Sequence, residues 1–221
     1  MKIRILVSSI FLGFLATASF AQTAQSTVQR DVNQQTRIEQ GLQSGSLSTR
    51  EAAQLEREQN EVSRLQARSL KDGKLTPTER ARLEAAQDRN SRHINTAKHN
   101  DVTGNPRSAS SQRMQADVQR NINQEKRIGQ GLKSGELTKH EAARLERGQA
   151  RTTHQEYVAG RDGHVGPHEQ ARVQRTQNRQ SKKIYRQKHD AQTRPAAQAV
   201  LTKLATASPD RAADVRGRAK G

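Results

Sequence analysis

Four side chains able to bind a transition metal crowd one short stretch of this chain: Asp162, His164, His168 and Glu169. Imidazole nitrogen and carboxylate oxygen together suit zinc, copper or nickel. Ninety residues earlier the matching stretch holds Asp72, Lys74, Thr78 and Glu79, so only the carboxylates Asp72 and Glu79 recur there. The second half also carries His140, His154 and His189, five of the seven histidines in all. Four residues separate His164 from His168, a gap that suits one helix face, but Gly166-Pro167 sets the pair across a helix start. Exposed turn histidines are therefore the plainer expectation and a divalent-metal site the sharper one. Other chemistry has little footing. There is no Ser-His-Asp grammar and no glycine-rich phosphate loop. The absence of cysteine removes disulfides, thiol catalysis and cysteine metal sites together. The expectation is a protein with no catalytic residue and no cofactor other than that divalent metal.

The elements that must position these side chains are helices joined by short glycine turns. Gly45 follows a helical pattern and suits a left-handed helix end. Ser48 then offers an N-cap hydroxyl, with Glu51 at capping-box spacing. Gly73, Thr76 and Glu79 repeat the grammar and add Pro77 at the first helical position. Gly135, Thr138 and Glu141 repeat the first form, and Gly163 with Glu169 the second, where Gly166 is a poorer cap. Between the turns, Thr49–Lys71 contains no glycine or proline and predicts one uninterrupted helix. Leu55, Val62 and Leu65 mark its apolar stripe, and Pro77–Lys98 predicts the next helix with Leu83, Ile94 and Ala97 on one side.

The pattern occurs twice. Aligned without a gap, Val28–Asn100 and Val118–Asp190 share roughly 30 identities in about 70 positions, a strong internal repeat. The chain therefore reads as all-α, a tandem duplication of a three-helix unit. The expected organisation is a signal peptide at 1–21, helical unit 1 at 22–100, a linker at 101–111, helical unit 2 at 112–190 and a basic flexible tail at 191–221. Gln22–Thr27 reads as a polar lead-in, and 196–205 as a short helix within the tail. In the second unit's middle helix, Thr152, Gln155 and Gly160 stand where the first has Val62, Leu65 and Leu70, and Gly148 enters at a helix-weakening cost of about 1 kcal/mol.

Two resemblances follow from the turn residues. Asp72-Gly73-Lys74-Leu75 with Glu79 resembles the second half of an EF-hand calcium loop, and Asp162-Gly163-His164-Val165 with Glu169 fits the same frame. Ser44-Gly45 with Leu47 and Glu51, and Ser134-Gly135 with Leu137 and Glu141, fit it more loosely. The first half of the loop departs: Arg68 and Leu70, then Val158 and Gly160, stand where carboxylates would bind calcium. Leu75-Thr76-Pro77-Thr78-Glu79 and Leu137-Thr138-Lys139-His140-Glu141 are similar to the Leu-Thr turns of the LTxxQ family of small periplasmic chaperones, with glutamate in place of the family's glutamine. That resemblance implies an ATP-independent, non-enzymatic role on unfolded or stressed envelope proteins.

Composition bounds the rest. The chain of 221 residues is 31% hydrophobic and 2% aromatic, a thin supply of core for a fold that must offset about 1–2 kcal/mol of backbone entropy per residue. A partner, a homodimer or long-helix packing is expected to help. Lys2 and Arg4, the apolar run Ile5–Leu15 and Ser19-Phe20-Ala21 form the parts of a cleavable secretory signal. Export to a bacterial periplasm or beyond is expected, with no stable membrane insertion after cleavage. The formal charge of +17 points to acidic or polyanionic partners. Basic residues interleave with Gln and Glu, and stacking aromatics are nearly absent, so no specific nucleic acid is expected. The leading expectation is an exported binding or chaperone-like envelope protein without enzyme activity; the alternative is a divalent-metal binder.

Overall fold

The computed structural model describes residues 16–190, with side chains from Ala24 onward. Among the described residues there are six α-helices and no strand: α1 (Ala16–Ser44), α2 (Thr49–Ser69), α3 (Pro77–Lys98), α4 (Ala109–Ser134), α5 (Lys139–Gly160) and α6 (Pro167–Lys188). The chain is thus all-α, as the 3.6-residue periodicity predicts. Three boundaries differ from expectation, the smallest being that the helix read over Thr49–Lys71 ends at Ser69. The stretch read as a polar lead-in is helical, because Ala24 and Thr27 are buried and Ala24 continues the apolar face of Val28. The linker loses its last residues to α4, which Ser108 caps by accepting the Ser111 N–H (3.1 Å). Residues 1–15, which hold most of the expected leader, and 191–221, which hold the expected tail and its short helix, lie outside the described residues.

Glycine makes the turns for a backbone reason. Gly45, Gly73, Gly135 and Gly163 have φ of 80°, 77°, 91° and 89°, a region other residues enter at a cost. Two residues beyond each glycine sits a buried apolar side chain, Leu47, Leu75, Leu137 or Val165, which ties the turn to the interior. Ser48, Thr76 and Thr138 then cap α2, α3 and α5. Each hydroxyl accepts the N–H of Glu51, Glu79 or Glu141, whose carboxylate accepts the cap residue's own N–H (2.9, 3.0 and 2.8 Å). Gly166 has no hydroxyl, so only the return bond exists, from its N–H to Glu169 Oε2 (2.7 Å).

The halves do not keep separate cores. The closest helix partnerships run between them: α2 lies along α5 and α1 along α4. Both pairs are antiparallel, since Gly160 approaches Ala53 while Asn60 Nδ2 donates to the Ala150 carbonyl, and Gly129 approaches Val28 while Gln115 reaches Leu42. α3 rests on α1 and α2, and α6 on α4 and α5. The linker closes the join, where the Gly104 N–H donates to the Gly45 carbonyl (2.8 Å). The reason is the shortage of large apolar side chains. One half alone buries too little surface to hold three helices together.

Two apolar clusters result, and each draws on both halves. One joins Ile38, Leu42, Leu47 and Leu55 to Met114, Val118, Ile122 and Val165. The other joins Val28, Leu70 and Leu75 to Ile128, Leu132, Leu137 and Leu145. Along α2 and α5 the residues between the clusters are polar yet buried: Glu56, Gln59, Asn60, Ser63 and Gln66, then Glu146, Gln149, Thr152, Thr153 and Glu156.

Candidate functional site

The turn carboxylates singled out for metal binding are engaged with backbone. Asp72 Oδ1 accepts the Lys74 N–H (2.9 Å) and Asp162 Oδ1 the His164 N–H (2.9 Å), two Asx turns. Glu79 and Glu169 close their helix starts. His164 Nδ1 lies 3.2 Å from Ser110 Oγ, which accepts the Val165 N–H, and His168 is exposed. Among the described residues no group of three or more His, Cys, Asp or Glu converges where it could hold a metal ion.

The chemistry that does gather lies in the polar belt between the apolar clusters. α1, α2, α4 and α5 bring six carboxyl groups into it: Asp31, Glu56, Asp117, Glu125, Glu146 and Glu156, each at most 4% exposed. They fall into two groups. In the first, Asp31 Oδ1 accepts from Gln87 Nε2 (2.7 Å), and Glu125 and Glu146 stand near enough to act on it and on each other electrostatically. In the second, Glu156 accepts from Asn121 Nδ2 (2.5 Å) and Gln177 Nε2 (2.9 Å), Glu56 accepts from Gln35 Nε2 (2.9 Å), and the two carboxyl groups face each other.

Burial governs how these groups titrate. Removal from water disfavours the carboxylate. It lifts Asp31, Glu56 and Asp117 to about 7, against partial relief from Gln87, Gln35 and the Arg120 charge respectively. Glu125 rises to about 8, by burial and then by the neighbouring Asp31 charge. Glu146 and Glu156 are pushed well above the usual carboxylate range, first by burial and then by their acidic neighbours. At the seam, a groove of about 300 Å³ between α1 and α4, lined by Val28, Val32, Lys126 and Gly129 among others, runs up to Glu125. The belt therefore stores protons near neutral pH inside the join between the halves.

These six groups do not stand out in the sequence. Gln and Asn among them read as solvent-side filler, and the acids as helix-start residues. A signal was present: Asp31 falls beside Val28 and Val32, and Glu56 and Glu146 stand ninety residues apart, each directly after a leucine, Leu55 and Leu145. A helical face that needs apolar residues and receives acids is a buried polar seam.

Comparison of the chain with protein-family models, with curated proteins and with solved structures finds no match. Among the described residues no helix is long and apolar enough to cross a membrane.

Proposed function

We propose that this protein is an exported, non-enzymatic binding protein with a chaperone-like action on unfolded or acidic envelope proteins. The observation that carries the reading is the carboxyl belt set between two apolar clusters at the join of the halves. A protein that holds unfolded clients needs apolar surface that it can cover and uncover. Here the closed form is favoured while the belt is protonated. Ionisation puts unpaired charge into a dry seam, which costs several kcal/mol per group unless it is solvated. Parting α2 from α5 and α1 from α4 admits water to those charges. It also bares the faces that carry Ile38, Leu42, Ile122 and Ile128, four side chains buried in the closed form. The leader-like start of the sequence supports the placement outside the cytoplasm.

The test is suppression of aggregation of a chemically denatured client, without nucleotide or metal, at pH 5 and pH 8. Suppression at equimolar protein is expected at pH 8 and should weaken at pH 5. Failure at both values would remove the chaperone-like reading, and equal suppression at both would remove the role of the belt.

A further inference from the structure

A second surface lies outside the seam and is independent of it. On α6, Arg172, Arg175, Thr176 and Arg179 follow the i, i+3, i+4, i+7 spacing of one helix stripe. Arg151 and His154 of α5 and Arg64 of α2 complete the walls of an open groove of about 400 Å³. All five arginines are exposed, and no carboxylate lines the groove. The salt bridges among the described residues lie elsewhere, at Arg30–Asp88, Arg80–Glu84, His93–Glu58 and Lys188–Glu136. Arg179 Nη2 donates to Thr176 Oγ1 (3.1 Å), which orders one guanidinium along the groove edge.

The matching groove of the first half sets this apart from general basicity. It measures about 510 Å³, and Glu58 and Glu61 stand among its arginines. Glu58 pairs there with His93 Nδ1 (2.8 Å). In the second half Gly148 replaces Glu58, Arg151 replaces Glu61, and Arg175 and Thr176 replace Ala85 and Ala86. Every one of these changes removes negative charge or adds a cation or a donor. Five like charges held on packed helices repel one another unless an anion lies between them. Guanidinium forks match phosphate oxygens in bidentate pairs, and no Phe, Tyr or Trp lines the groove for a base to stack on.

We infer that the groove between α5 and α6 binds clustered phosphate groups, carried either by a soluble polyphosphate or by phosphorylated lipid headgroups. The full chain is titrated calorimetrically with inorganic tripolyphosphate in about 0.1 M salt, where diffuse surface attraction is largely screened. The Arg151→Gln, Arg175→Gln double variant should lose roughly tenfold or more in affinity. The Arg57→Gln, Arg89→Gln double variant of the first groove should stay within about twofold, because Glu58 and Glu61 lower the positive potential of that groove and repel phosphate. Equal losses in both variants, or no binding by the unaltered chain, would overturn the inference. Cosedimentation with phosphatidylglycerol vesicles, competed by tripolyphosphate and weakened in the Arg151→Gln, Arg175→Gln variant, identifies the source as a headgroup. Tripolyphosphate binding without cosedimentation identifies a soluble anion. A single-stranded oligonucleotide bound more tightly than tripolyphosphate, and lost in the same variant, would replace the ligand class and overturn the inference as well.

Discussion

The two groups of buried carboxyls occupy equivalent places in the halves but are served differently. Asp31, Gln66 and Gln87 with Glu125 and Glu146 form one; Asn121, Glu156 and Gln177 with Gln35 and Glu56 form the other, each residue ninety positions from its counterpart. In the second, amides reach the acids: Asn121 and Gln177 donate to Glu156, and Gln35 donates to Glu56. In the first, among the described residues, no donor reaches either oxygen of Glu146, or Oε2 of Glu125, or Oδ2 of Asp31. Exchanging acid and amide between equivalent positions leaves, among the described residues, one carboxyl oxygen without a donor in the second group, Glu56 Oε1, against four in the first. Buried acids can therefore be largely answered by amides in one part of the seam and left mostly unanswered in another.

The largest expected effect concerns both groups together. Asp31, Glu56 and Asp117 are lifted to about 7 and Glu125 to about 8, so between the ordinary carboxylate range and those values the folded chain binds more protons than the unfolded one. Their contribution to stability is fully present below the unfolded pKa near 4 and is lost as pH rises through about 7 to 8. Thermal unfolding should occur at a temperature roughly 10 °C or more higher at pH 5 than at pH 8, followed by circular dichroism. A melting temperature that rose with pH would break the account of both groups at once.

The comparison itself is sharpened by two single variants. Glu146→Gln removes a buried carboxyl that no donor reaches and whose raised proton affinity costs more stability as pH rises, so it should stabilise the fold by about 1–2 kcal/mol more at pH 8 than at pH 5. Glu156→Gln relieves a burial penalty of the same direction at pH 8 but disturbs two accepted hydrogen bonds, so its gain there should be smaller by about 1 kcal/mol, and it should cost about 1 kcal/mol at pH 5. Denaturant titrations at the two pH values read both. Like responses from Glu146 and Glu156 would mean the two groups do not differ.

A smaller effect tests the packing beside them. Gly148 answers Glu58 in the repeat, and Gln180 answers Asn90. A Cβ on Gly148 would overlap the Gln180 amide, whose Nε2 donates to the Leu145 carbonyl (2.8 Å). Gly148→Ala gains helix propensity of about 1 kcal/mol but displaces that amide, so a net loss of about 1 kcal/mol is expected. Gln180→Asn should restore part of it, since the shorter amide is what the first half pairs with a larger residue. Stabilisation by Gly148→Ala alone would show that the amide moves without cost.

Much of the local structure was legible in the sequence. Pro77 and Lys98 bound α3 as expected, and glycine followed by a Ser or Thr cap and a glutamate marks the turns because those residues answer local backbone needs. What was not legible is everything that depends on which helix meets which. The glycines at 148 and 160 read as weak points, whereas one admits Gln180 and the other lies against Met114 and Ala53. Asp31 and Glu56 carry no mark of burial in the sequence, because a helical wheel assigns faces within one helix and carries nothing about a second half arriving on the polar side. The basic groove was visible only as composition, since Arg64, Arg151 and Arg172 come from three separate helices.

The linker gives the antiparallel join a further meaning. Gly104 sits so close to the Leu47 carbonyl that any side chain there would collide with it, and this contact folds one half back onto its own neighbour. Were the connection too short or too stiff to turn, α5 would still fit α2, but the α2 of another molecule. The close approach that only glycine permits at this bend thus lets the chain complete its interior with its own second half.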